Sequence, residues 1–361
     1  MRSRTKGFKH FHENEKDASE ILLEVASRKE CPMATTLKRS FLGPSFLLIF
    51  AIFPSVLSFG RLAEAQPLKE VRIASSTTVS FTNLSTFYAR DRRFFEKEGL
   101  DIKIIVVQTN AALAALVTGN VDYTTLSTST IEAALRGMPL RLVAVTSQQP
   151  VWGLVVRKGI TKVTDLKGKK LAVSSYGGAS YAAILYVLKH YGLGPKDVSI
   201  LATGDTMARI AALQKEAVDA AIIPAPGDMK AITLGDFKLL LDVGTLYKLP
   251  MGGISTSLAK IRENPTEVGK VVRAVVGATR FIVDSRNKDE VLNYLAAGFK
   301  LERSSAEELY GRIVPSLSAS GMVDRDKIKL VIDSAIERGV TNKPVDPDAV
   351  VDFSFARDLG F

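Results

Sequence analysis

The stretches Ala115-Leu-Val-Thr-Gly-Asn-Val-Asp-Tyr123 and Ala212-Leu-Gln-Lys-Glu-Ala-Val-Asp-Ala220 decide the fold. Both read as the end of a helix, a short polar turn, and Val-Asp opening a β-prone segment, at a constant offset. The identities are few, so the repeated architecture around them is the stronger signal. Around the first copy, residues 71–75 read as a strand entering a Ser/Thr loop, 82–98 as a helix, 101–107 as a strand and 111–118 as a helix. Residues 121–125 follow as a short strand, 127–136 as a helix and 140–146 as a strand. Around the second copy the alternation restarts, with strands over 171–175, 198–202 and 219–223. Between them lie helices over 180–191, closed by Gly192, and 206–215. Such alternation predicts α/β layers with parallel strands at their centre.

Two segments are expected to cross between the units, 142–156 and 237–254. The second lobe (155–240) is then an insertion between two parts of the first, 66–154 and 241–361. Beyond Asn264-Pro265 the pattern is helical over 268–284, 288–298, 305–314 and 324–338. Helices of that length must cover their apolar stripes, and the first lobe offers the nearest surface.

From Met33 the chain reads as an export signal. Lys38 and Arg39 precede an apolar run over 41–59, and Ala63-Glu-Ala65 supplies the small-x-small pattern for cleavage after Ala65. A retained anchor is the alternative; Pro44 and Pro54 interrupt the run, which is marginal for a span of roughly 20 apolar residues. Residues 1–32 are polar, lie upstream of a complete signal, and read as an extension foreign to the native product. No Cys follows the apolar run, so a lipid anchor has no acceptor.

The 361 residues are 46% hydrophobic and 24% charged, which is globular composition with no tendency to disorder. Removing 1–65, with ten basic and seven acidic residues, lowers the net charge from +10 to +7. The basic residues are dispersed and carry no interleaved aromatics, which argues against nucleic acid as a partner. Beyond residue 65 there is no Cys and one His, His190. A Cys nucleophile, a zinc-thiolate centre and a multi-histidine metal site are thereby excluded. Near a helix C-terminus, His190 reads as a solvated residue favoured by the helix dipole. Paired carboxylates for hydrolysis are not recognisable, and no cofactor is expected.

Five segments carry a resemblance to a known family: Tyr88-Ala-Arg-Asp-Arg-Arg-Phe-Phe-Glu-Lys-Glu-Gly-Leu-Asp101, Leu116-Val-Thr-Gly-Asn-Val-Asp122, Glu132-Ala-Ala-Leu-Arg-Gly-Met-Pro139, Asp165-Leu-Lys-Gly-Lys-Lys-Leu-Ala-Val173 and Val351-Asp-Phe-Ser-Phe355. In this order they resemble the nitrate/sulfonate/taurine class of type II periplasmic binding proteins, which is also similar to thiamine-pyrimidine precursor synthases and binding proteins. The resemblance covers residues 68–361. It implies two α/β lobes joined by two crossing strands, a ligand cleft between them, and a helical C-terminal segment on lobe 1. It further implies a monomeric periplasmic protein that delivers a small polar or anionic organic solute to an ABC permease. The synthase branch relies on His and a Cys-rich segment that this chain lacks, so its activity is not carried over. A pyrimidine-precursor synthase-like enzyme and a sensor module remain the alternatives.

In such a cleft, ligands sit where strand-to-helix turns present free N–H groups. In lobe 1 the candidates are Thr78 and Ser80 in the first Ser/Thr loop, and Ser127, Thr128 and Ser129 opening a helix. For the Ser127 turn, plain N-capping by a hydroxyl is the competing role and is expected to operate in any case. In lobe 2 the candidates are Tyr176, Gly177, Gly178 and Ser180, where glycine lets backbone approach a ligand and the Tyr can stack on it. Pro224 and Asp228 form a fourth turn, where Asp228 reads as an N-cap ahead of a ligand partner. Trp152, the single Trp, fits a cleft wall or the core. Mass spectrometry of exported material is expected to find a mature N-terminus at Gln66; uncleaved, membrane-bound protein alone would refute the processing.

Overall fold

The computed structural model describes residues 67–78, 80–176 and 178–360. The upstream extension (1–32), the signal segment (33–65) with its cleavage point after Ala65, and Gly177 lie outside the described residues. Two five-stranded sheets organise the rest. The first comprises β1 (Lys69–Ser75), β2 (Leu100–Val106), β3 (Tyr123–Leu126), β4 (Leu140–Ser147) and β10 (Gly252–Ser257), in the order β2-β1-β3-β10-β4. The second comprises β5 (Trp152–Arg157), β6 (Lys170–Val173), β7 (Ser199–Ala202), β8 (Ala220–Pro224) and β9 (Phe237–Asp242), in the order β7-β6-β8-β5-β9. In each sheet four strands run in the same direction, and one strand entered from the other lobe, β10 in the first and β5 in the second, runs antiparallel to them.

Helices α1 (Leu84–Asp91), α2 (Phe94–Lys97), α3 (Thr109–Val117) and α4 (Thr128–Leu135) belong to the first lobe. The second holds α5 (Ala179–His190), α6 (Thr206–Gln214) and α7 (Gly227–Thr233). After β10 come α8 (Leu258–Glu263), α9 (Pro265–Val283), α10 (Lys288–Phe299), α11 (Arg303–Ile313), α12 (Arg325–Glu337) and α13 (Ser354–Arg357). This is the two-lobed type II binding-protein architecture, with the helical tail packed on lobe 1. The long helix α9 buries Val268, Val271, Val272, Val275, Val276 and Ile282, a stripe of helical period, against α1, α2, α13 and β4.

The Val-Asp repeat has the same structure in both lobes. Asp122 N–H donates to Arg72 O at 2.9 Å, and its Oδ2 accepts from Arg72 N–H at 2.8 Å. Asp219 does the same with Lys170, at 2.8 and 2.9 Å. In the preceding turns Asn120 and Ala217 return their N–H to Ala115 O and Ala212 O, both at 2.9 Å. The left-handed position falls on Gly119 (φ 74°) in one copy and on Glu216 (φ 61°) in the other. Each aspartate therefore clips the start of its strand to a neighbour, and the repeated residues are the ones the geometry uses.

One expected helix is two. Residues 82–98 break at Arg93, left-handed at φ 60°, between α1 and α2. The kink turns Phe95 into the core at 1% exposure and sets Phe94 edge-on to Phe281 of α9 at 6.0 Å. Tight packing on α9 outweighs continued helix here. The expected boundaries at 154/155 and 240/241 fall inside β5 and β9, because the sheet pairing of β5 begins at Trp152 and that of β9 continues to Asp242.

One hydrophobic core runs through both lobes, from Val71, Ile73 and Tyr88 through Val151 and Trp152 to Ile184 and Ile222. Two smaller cores fill the remaining faces. Leu113, Leu116 and Ala133 lie under α3 and α4, and Ile210, Leu213 and Ala231 under α6 and α7. Replacing Asp219 by Ala is expected to lower stability by about 1–2 kcal/mol through loss of the charge-assisted bond to Lys170 N–H, read as a lower urea midpoint at unchanged slope.

Candidate functional site

The pairing registers fix where the two lobes meet. At the carboxyl end of β4, Ser147 pairs with Gly252 at the start of β10, which also pairs with Leu126 at the carboxyl end of β3. In the other lobe, Trp152 at the start of β5 pairs with Pro224 at the carboxyl end of β8, and Gly153 pairs with Asp242 at the end of β9. Both crossings thus join the carboxyl ends of the parallel strands. The turns after β1, β3, β6 and β8 lie at that edge, where open α/β sheets present loops and helix N-termini to ligands.

After β1 the chain is organised by a residue that sequence reasoning missed. Asn83, 2% exposed, donates through Nδ2 to Ser75 Oγ (3.0 Å), Thr77 O (3.3 Å) and Thr78 O (3.0 Å). Its Oδ1 accepts from Ser80 N–H at 2.7 Å. Ser80 Oγ is tied to Thr82 Oγ1 at 3.0 Å, and Ser75 Oγ accepts from Thr125 Oγ1 on β3 at 3.1 Å. Thr78 keeps its side chain at the surface, while its carbonyl serves Asn83. The signal in the sequence was an Asn three residues after Ser80 at a helix start, where a short amide bonds to nearby backbone.

After β3 the expected capping does not occur. Ser127 precedes α4 in the N-cap position but makes no capping bond, and its hydroxyl, 1% exposed, has no hydrogen-bond partner among the described residues. Its αR backbone (φ −87°, ψ −69°) departs from the extended conformation that favours a capping side chain. A Cβ on Gly253 would stand 2.9 Å from that Oγ. Thr128 Oγ1 instead donates to Pro250 O of the second crossing at 2.8 Å, and Ser129 is half-buried beside it. The first-turn N–H groups of α4 lack intrahelical acceptors, as at every helix start.

In lobe 2, the turn from β6 into α5 is held by Ser180, whose buried Oγ accepts from Ser174 N–H at 3.0 Å and bonds Ser174 Oγ at 2.8 Å. Gly178 precedes α5 with extended backbone, and a Cβ there would meet the exposed Ser175 Oγ at 2.6 Å. Tyr176 is anchored by its hydroxyl, which donates to Ile200 O at 3.0 Å, and leaves its ring 64% exposed. Gly177, also a candidate, lies outside the described residues.

The fourth turn corrects an expectation. Asp228 neither caps α7 nor faces a ligand space: Pro226 holds the cap position, and the Asp228 carboxylate, fully buried, accepts from Arg312 Nη2 at 2.7 Å and from Met229 N–H at 2.8 Å. Burial raises its pKa, with Arg312 acting against the rise. Pro224 is half-buried and stays in the ladder with Trp152. Trp152 is 6% exposed within the continuous core, so its ring belongs to the packing at the crossing. Arg312 was invisible in the sequence, since 84 residues and no periodicity link it to Asp228.

Between α5, α12 and the second crossing lies a cavity of about 450 Å³, lined by Tyr186, Tyr247, Leu249, Leu330 and Glu337 among others. None of the candidate residues lines it.

Residues 81–287 match the family described as NMT1/THI5 like. The chain is similar to the riboflavin-binding protein RibY of Chloroflexus aurantiacus, 26% identical over 63% of this chain and 66% of that protein. It is also similar to a 4-amino-5-hydroxymethyl-2-methylpyrimidine phosphate synthase of Saccharomyces cerevisiae, 30% identical over 39% of this chain and 42% of the synthase. The chain thus spans between two fifths and two thirds of these relatives' own length. Among solved structures, the periplasmic aliphatic sulphonate binding protein SsuA from Escherichia coli superposes with a TM-score of 0.65 at 21% identity, covering 78% of this chain and 91% of that one. That likeness concerns the fold.

Replacing Asn83 by Ala removes the bonds that shape the 75–80 loop. Stability is expected to fall by about 2 kcal/mol from the stranded polar groups, measured by urea unfolding. Hydrogen exchange should rise in residues 75–83 and stay unchanged in residues 174–180.

Proposed function

This chain belongs to the NMT1/THI5-like family, and we propose that it is a solute-binding protein whose lobes close on a small anionic or polar molecule. The observation that carries this reading is Ser127. A buried hydroxyl without a partner costs about 1–3 kcal/mol. A ligand oxygen at the α4 N-terminus would accept from it and from the free first-turn N–H groups together. The hydroxyl-rich 75–80 loop and the Ser174–Ser180 turn offer donors from the two lobes, at the edge where the crossings join them.

Closure needs no force beyond differential affinity: a ligand that touches both lobes stabilises the state in which both touch it. In this reading the protein is exported and hands its solute to an ABC permease. Among the described residues no helix is long and apolar enough to cross a membrane. The named relatives bind riboflavin and aliphatic sulphonates, and a sulfonate or a carboxylate suits the donor set here.

The synthase relative favours an enzymatic alternative, against which the placement of His190 speaks. It is the single histidine among the described residues, exposed at the C-terminal end of α5. It lies about 18 Å along the helix from Gly178 at 1.5 Å per residue. Among the described residues, neither His nor Cys is thus available at the Gly178 turn.

Ser127→Ala discriminates between a ligand donor and a packing residue. Thermal stability without ligand is expected to hold or rise, because a buried unpaired polar group is removed. Calorimetric affinity for the solute identified by a screen of sulfonates, carboxylates, flavins and pyrimidines should weaken about 10-fold or more, as loss of a hydrogen bond to a charged group requires. A less stable variant with unchanged affinity would defeat the assignment.

A further inference from the structure

We propose that Arg312 is the positioning residue through which lobe 1 holds the Pro224–Asp228 turn of lobe 2, setting the resting angle between the lobes. Only its effect on affinity rests on the solute-binding reading.

The base of Arg312 is fixed to lobe 1. Helix α11 ends at Ile313 and runs into a short turn whose Ser316 O, fully buried, accepts from Gln148 N–H at 2.8 Å. Leu317 then bridges to Ser147 at the end of β4. The head of Arg312 is in lobe 2. Its Nη2 donates to Asp228 Oδ2 at 2.7 Å, and its Nε to Asp242 Oδ2 at 3.3 Å, where β9 ends. The side chain therefore spans the line along which the chain crosses.

The pocket for this pair is built into the sheet. A Cβ on Gly153 of β5 would stand 2.6 Å from Asp228 Oδ2 and 2.7 Å from Leu239 Cδ1. Glycine there leaves the room that the carboxylate occupies. Asp228 is fully buried and the Arg312 side chain 15% exposed, so separating them strands a charge away from water. A single buried ion left without its partner is strongly disfavoured. Lobe rotation must therefore pivot around the pair or break it.

The exposed ion pair across the seam offers little resistance, unlike the apolar core that both lobes share. Lys189 of α5 and Glu337 of α12 stand 3.7 Å apart, both largely exposed, in the class of ion pair that contributes almost nothing. Tyr186 meets Tyr247 with ring centroids 5.2 Å apart. The cavity of about 450 Å³ lies between these elements, with walls from both lobes, and its volume can change as the lobes turn.

The test uses the full chain with Cys31→Ser and spin labels at Lys103→Cys on β2 and Lys196→Cys in lobe 2, both exposed sites. Interlobe distances are measured by electron-electron double resonance without solute. The neutral pair Arg312→Met with Asp228→Asn removes the charges without stranding either one. It is expected to shift or broaden the distance distribution, and to change the affinity for the screened solute about fivefold or more, a typical coupling between sites. Arg312→Lys, which keeps charge but not the fork, should return the distribution part of the way to wild type. A folded double variant with the wild-type distribution overturns the proposal. Should the double variant fail to unfold cooperatively in urea, Arg312→Lys and Asp242→Asn decide, and unchanged distances in both overturn it. Because the distances are read without solute, failure here is distinct from failure to find a ligand.

Discussion

Close approach of backbone to backbone at the two crossings is the constraint on which the rest depends. The position of a Cβ on Gly244 is occupied by the carbonyl of Pro150, so the second crossing lies directly against the first. On β10 the same holds for Gly252 against Thr82 O and for Gly253 against Ala144 O. No side chain fits at these three positions without moving backbone, and glycine inside a strand commonly marks such an approach. Because β10 can lie so near the chain around it, it enters sheet 1 between β3 and β4. That insertion aligns the carboxyl ends of both sheets along one seam. The candidate turns, the continuous core and the Arg312 pair are all arranged about it.

Much of this was legible because it is periodic or local. The strand–helix alternation, the long apolar stripe of α9 and the Val-Asp repeat all follow from side-chain spacing, and the two crossings from β character on either side of a polar break. The aspartate clips show why the repeat was readable: Asp122 and Asp219 make the same pair of backbone bonds, so the same residue type recurs at the same offset. The helix break at Arg93 was not legible, since no Gly or Pro marks it and the demand comes from packing between α1, α2 and α9. The pairing of Asp228 with Arg312 has no local trace at all. At Ser127 local rules misled: a Ser ahead of a helix reads as a cap, and here the hydroxyl is left without a partner.

The candidate site in lobe 1 is polar without being charged. Ser75, Asn83, Thr124, Thr125, Ser127 and Thr130 are all buried, and most are bonded to one another or to backbone. Neutral donors held in place by their own network stabilise an anion without the desolvation cost of a buried cation. The full charges sit elsewhere: the Lys260–Asp122–Glu267 cluster ties the start of β3 to α8 and α9. Lobe 1 thus separates the charges that brace its frame from the dipoles that face the seam.

The position of β10 also sets the order in which the molecule can be completed. All five strands of sheet 2 are contiguous in sequence, so that sheet can close once Asp242 has emerged. Sheet 1 cannot: β3 and β4 have no bonds to each other, and remain a three-stranded fragment and a lone strand until β10 arrives between them. Domains fold as units, roughly as they emerge. The lobe begun first is therefore the lobe finished last, and the inserted lobe stands complete while its host is still in two pieces.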